Sequence, residues 1–122
     1  MIQPVVILFL VIAFIFAVIH VIAVEASLYW YYWWFDIVMH FWGGLLIALG
    51  VVSLTTFRRI TITPSYTLVF CVSVVIVLSW EIFEWQVGLF DPELYFKDAI
   101  YDVTLGLAGG LLGYSILKRF KI

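Results

Sequence analysis

Apolar residues run through this chain in four long stretches separated by short polar segments, covering about residues 4–25, 36–57, 65–87 and 98–117. Each stretch reaches the roughly 20 residues that an α-helix needs to cross the hydrocarbon core of a bilayer. The pattern therefore predicts an all-α protein, an integral-membrane bundle of four transmembrane helices. The linkers, Arg58 to Pro64 and Gly88 to Lys97 with Asp91-Pro92 inside it, are short and carry turn residues, so neighbouring spans should run antiparallel. Val24-Glu25-Ala26 loosely resembles a leader cleavage site, but no Lys or Arg precedes the first apolar run, so that run is read as a retained helix.

Composition agrees with this reading and narrows it. Hydrophobic residues make up 66% of the 122 positions and charged residues only 11%, far from the balance of a soluble domain. Residues 1–122 then form a single transmembrane domain with no room for a soluble one, and no nucleic-acid partner is expected. Cys71, alone of its type and within an apolar run, reads as a small buried hydrophobe. Arg58, Arg59, Lys118, Arg119 and Lys121 fall on one side of the pattern and only Lys97 on the other. By the positive-inside rule the first side is cytoplasmic, giving a multi-pass cell-membrane protein with both termini inside. All eight acidic residues then lie toward the outside. The run Tyr29-Trp30-Tyr31-Tyr32-Trp33-Trp34-Phe35 reads as an outer interfacial belt, an anchor rather than a platform for a quinone or carotenoid.

Three pairs carry the candidate chemistry: Asp36 with His40, Glu81 with Glu84, and Asp98 with Asp102, each at the outer end of a span and each three or four residues apart. Such spacing puts both members of a pair on one helix face. Gly43 and Gly44 continue the first face, and Gly106, Gly109, Gly110 and Gly113 the third. Small-residue stripes mark helix interfaces in membranes, so the acids should point into the bundle. Asp36 and Asp98 also stand where a carboxylate caps a helix start, which for these two weighs evenly against a functional role. Glu81 and Glu84 approach a helix C-terminus, where the dipole disfavours negative charge, and His40 and Asp102 lie a turn inside, beyond capping. Five carboxylates cannot gather unscreened in low dielectric. Either several keep their protons or metal ions occupy the cluster, and the donor set suits Mg, Mn or Ca, or Zn or Fe if His40 binds.

The ordered trio Asp36-x-x-x-His40-Phe41-x-Gly43-Gly44, Trp80-Glu81-Ile82-Phe83-Glu84-Trp85 and Asp98-x-x-x-Asp102 followed by Gly106 resembles the YjdF-type small membrane proteins of unknown function. A weaker similarity reaches the VanZ-like proteins, in which a Glu-x-x-Gln and an Asp-x-x-x-Asn stand where this chain has Glu81-x-x-Glu84 and Asp98-x-x-x-Asp102. The resemblance covers roughly the last three spans. It implies a compact helical bundle with a polar extracytoplasmic site and, through the VanZ-like relatives, a link to cell-envelope lipids or to glycopeptide resistance. The two additional acids strengthen the case for a cation.

Three readings of function follow. In the first, a metal-dependent membrane enzyme, a hydrolase for instance, acts on a lipid-linked substrate: His40, Glu81, Glu84 and Asp102 hold one or two divalent ions, and Asp36 or Asp98 has a catalytic role, orienting a metal-bound water. Covalent catalysis is disfavoured, since Cys71 stands ten residues, about 15 Å, from Glu81 on the same helix. In the second, the cluster serves a proton- or cation-handling transporter or an accessory subunit, although no charged path continues through the spans. The third is a binding module without turnover, holding a lipid headgroup or a partner. A homo-oligomer is compatible with all three. His20 and Glu25, five apart, read more readily as a hydrogen-bonded interior histidine and a solvated helix end than as ligands.

Overall fold

A computed structural model describes residues 1–88 and 95–121, apart from the side chain of Tyr95, so most of the expected linker around Asp91-Pro92 lies outside the described residues. The chain forms α1 (Pro4–Glu25), a short α2 (Leu28–Tyr31), α3 (Trp33–Thr55), α4 (Tyr66–Val87) and α5 (Tyr95–Phe120), with no strand among the described residues. Four of these helices are long and apolar enough to cross a membrane.

Local signals explain the boundaries. Pro4 opens α1, where its missing N–H costs nothing. The Ser65 hydroxyl accepts from the Leu68 amide at 3.1 Å and so caps α4, which ends on Gly88 in the left-handed conformation at φ 73°. Thr55 and Thr56 donate to the Val52 and Ser53 carbonyls at 2.7 and 2.6 Å, satisfying acceptors that the end of α3 leaves open. The aromatic run is largely helical rather than a loop: it forms α2 and the first turn of α3, so α3 starts at Trp33, a turn before the expected Asp36.

Helix α3 packs most closely on α5, α4 packs on α5 and more lightly on α3, and α1 touches only α3 and α2. The result is a three-helix unit with α1 laid against one side. Of the most apolar stretch of α1 only 6% is buried, against 39% in α3 and in α5. Glycine sets this order. A side chain at Gly44 would meet the Gly106 carbonyl and lie 2.8 Å from the Gly110 nitrogen, and one at Gly109 would meet the Phe41 carbonyl. On the other face of α5 a Cβ at Gly106 would sit 2.8 Å from Val77, and one at Gly110 would sit 2.7 Å from the Ser73 hydroxyl. Helix α5 is thus narrow on both sides and fits between α3 and α4. The α1 contact is built differently: Phe9 lies over Gly50, and Phe16 stands edge-on to Trp42 with ring centres 5.5 Å apart.

Ser53 donates to the Val5 carbonyl at 3.2 Å, and Tyr114 donates to the Pro64 carbonyl at 3.1 Å. These bonds bring the start of α1 beside the end of α3 and the end of α5 beside the start of α4, so both chain ends lie together, at what is here called the Pro64 end. The apolar core of Val5, Ala48, Leu49, Val51, Val52, Val69, Tyr114 and Leu117 occupies that half. One expectation is corrected. Cys71 is exposed, not buried, because it sits on a lipid-facing side of α4, where an apolar neighbourhood in sequence does not mean a protein interior.

Candidate functional site

At the end opposite Pro64, α3, α4 and α5 each bring polar side chains to the centre of the three-helix unit. The inward stripe of α4 reads Val69, Ser73, Val77 and Glu81 at four-residue intervals, so the face that buries apolar groups below presents a carboxylate above. Glu81 and Asp102 are both buried. The glycine seam a turn below Asp102 draws α5 against α3 and brings Asp102 to His40.

His40 joins the two helices. Its Nε2 lies 3.2 Å from Asp36 Oδ1 and 3.3 Å from Asp102 Oδ1. Asp36 makes no capping bond at the start of α3; it sits within the first turn and pairs with His40 instead. Two sets of potential ligand atoms result, one from Asp36, His40 and Asp102 and one from Glu81, Glu84 and Asp102, with the atoms of each set within 4.8 Å of one another. Asp102 belongs to both. Asp98 is exposed one turn earlier on α5 and is in neither set, while Glu25 is exposed at the end of α1. Of the six residues expected to form the site, five are therefore brought together, and Asp98 stands at its outer edge.

The spacing suits an ion. Two donors each about 2.1 Å from a shared cation, at angles between octahedral and tetrahedral, lie roughly 3.0–3.4 Å apart. The His40 contacts fall in that range, which also serves a direct hydrogen bond between imidazole and carboxylate. For the carboxylates the requirement is stronger: buried acids this close need a proton or a cation between them.

Two further residues belong to the surroundings of the site. Trp80 donates its indole N–H to Glu84 Oε1 at 2.9 Å, fixing that carboxylate from one turn away. The four-residue spacing on α4 carried this signal. Tyr29, at the start of the aromatic run, turns inward: its hydroxyl lies 2.8 Å from His20 Nδ1, and its ring meets Phe35 edge-on at 5.0 Å. Burial, with the negative charges of Asp36 and Glu84 adding to it, pushes the Tyr29 hydroxyl up to about 12, so it stays protonated at physiological pH. Nothing in the sequence separates Tyr29 from its exposed neighbours Trp30, Tyr31 and Trp33. His20 is thus a hydrogen-bonded histidine, committed to Tyr29 rather than to the acids.

Below the site the remaining polar side chains are mostly satisfied within their own helices. Ser79, Thr104 and Ser115 donate to the Val75, Ile100 and Leu111 carbonyls at 2.6–2.9 Å. Comparison with known proteins finds no matching curated protein and no matching solved structure. Residues 3–121 match the model of the family described as "Predicted membrane protein (DUF2238)", and the chain belongs to that family.

Proposed function

We propose that the site binds one or two divalent cations and uses them for chemistry on a lipid-linked phosphoester or pyrophosphate at the outer membrane face, with both termini cytoplasmic. The observation that carries this reading is the pair of ligand sets sharing Asp102 across three helices. Two ions would draw on Asp36, His40 and Asp102 for one and on Glu81, Glu84 and Asp102 for the other. A bound ion supplies two things an acidic pocket lacks: attraction for a phosphate, and a water that loses its proton near neutral pH. Asp36, half-exposed beside His40, would orient such a water, and the Trp80 indole would steady Glu84 as a ligand. The orientation rests on the five basic residues at the Pro64 end. The motif resemblance read from the sequence is what suggests a substrate from the cell envelope.

The transport reading has less support, because no Asp, Glu, Lys, Arg or His stands in α3, α4 or α5 between the site and the Pro64 end. The test pairs elemental analysis of the purified protein with phosphate release from farnesyl pyrophosphate. Bound metal together with release that chelator and Asp102→Asn both abolish supports the proposal. Bound metal without release reduces it to an ion or binding site, and a metal-free protein refutes it.

A further inference from the structure

The Pro64 end carries a second feature, independent of the acidic site. Arg58, Arg59, Lys118, Arg119 and Lys121 are all exposed there, and every described Asp and Glu lies at the opposite end. Just inside this ring of charge an apolar groove opens between α3 and α4. It is walled by Val51 and Leu54 of α3, Ile60 and Ile62 of the linker, and Leu68 and Val72 of α4. The Thr55 hydroxyl beside it is turned away, bonded to the Val52 carbonyl. The groove exists because α3 and α4 touch only lightly while α5 fills the space behind them. Its mouth is defined by sequence: Arg58 and Arg59 immediately precede Ile60, in a turn closed by the Ile60 amide donating to the Phe57 carbonyl at 3.0 Å. Around it the end is held firm, with the Tyr66 and Tyr114 rings edge-on at 4.7 Å and the Lys118 ammonium 5.2 Å from the centre of the Tyr66 ring.

An apolar slot on a bundle of membrane-spanning length, with Arg58 and Arg59 exposed in the turn that leads into its wall at Ile60, matches one kind of occupant. We propose that this groove and the Arg58–Arg59 turn bind an anionic phospholipid, one acyl chain lying against Val51, Leu68 and Val72 and the headgroup phosphate meeting the arginines. Guanidinium forks fit phosphate oxygens in pairs, and basic residues at a membrane surface draw anionic lipid. Apolar wall and paired arginines together set this groove apart from the exposed apolar surface of α1, which carries no Lys or Arg.

The experiment compares phosphatidylglycerol with phosphatidylcholine on the purified full chain, counting lipid retained by native mass spectrometry and following thermal stability. Phosphatidylglycerol should be retained with about tenfold preference at a stoichiometry of about one. The pair Arg58→Gln and Arg59→Gln should abolish the preference, whereas Arg119→Gln with Lys121→Gln, an equal loss of charge at residues that do not line the groove, should keep it. Ile62→Trp, on the exposed linker, and Leu68→Trp, on the groove wall, should each reduce retention of the lipid. Equal retention of both lipids overturns the proposal, as does equal damage from the two double variants, which would mean diffuse attraction. Glycerol phosphate stabilising as well as the intact lipid would assign the arginines to a free phosphate and remove the acyl chain from the account.

Discussion

The same three helices close on opposite kinds of contents at their two ends. Toward Pro64, α3, α4 and α5 meet on Ala48, Leu49, Val52, Val69 and Leu117, with the ring of Tyr114 among them and its hydroxyl bonded to a backbone carbonyl. That half is satisfied by shape alone. At the other end the corresponding inward positions are His40, Glu81 and Asp102, and shape does not suffice: carboxylates drawn together in a lipid-surrounded bundle repel until a positive species joins them. Between the halves runs the seam of Gly44 against Gly106, Gly109 and Gly110, which imposes the close approach on both. One half is an ordinary membrane packing unit, and the other uses that rigidity to hold charges where they would not gather unaided.

The seam offers the most severe way to break this division. Gly44→Ala drives a methyl group into the Gly106 backbone, which cannot yield as a side-chain tip would, and should cost about 3 kcal/mol. Both halves should fail together, seen as a lower Tm with loss of cation binding. Loss of the proposed cation should act on one half alone. Chelation should lower stability by about 2.7 kcal/mol relative to protein held at a hundredfold excess of metal over Kd, and amide exchange should accelerate in the turns of α4 and α5 around Glu81 and Asp102 while the Pro64 half keeps its protection. Leu49→Ala is the converse: a cavity among Val52, Val69 and their neighbours should cost about 2 kcal/mol with cation affinity unchanged. Gly50→Ala should move stability by no more than about 0.5 kcal/mol. Its methyl group would stand 3.3 Å from the Phe9 ring, which can shift, and helix propensity offsets the crowding. A large loss there would show that α1 is as integral as α5.

Much of this was legible in the sequence because membranes restrict what a chain can do. Four apolar runs became four spanning helices, and the i, i+4 pairing of Asp36 with His40 and the i, i+3 pairing of Glu81 with Glu84 placed those side chains on shared faces before any coordinates. The glycine stripes pointed to close helix contact, but adjacent residues on a helix face about 100° apart, and only the structure shows that Gly44 meets α5 while Gly43 turns toward Phe16. The three-plus-one arrangement was hidden for a related reason: α1 is apolar on every side, so no stripe tells which neighbour it takes. Cys71 was misread on the same ground. Asp98 shares a face with Asp102 but stands one turn nearer the start of α5, where it is exposed, and only Asp102, a turn deeper, is buried. Tyr29 lay within a run of seven aromatic residues whose composition gives no sign of which ring turns inward to His20 and Phe35.

The central claim is that carboxylates from three helices form one cation site, and a Mn²⁺ titration followed by electron paramagnetic resonance tests it most directly on the parent, Asp36→Asn, Glu81→Gln and Asp102→Asn proteins. The account expects saturable binding in the parent, weakened at least about tenfold by a substitution on any of the three helices and most by Asp102→Asn. A parent that binds no Mn²⁺, or three variants that bind it as the parent does, would contradict it.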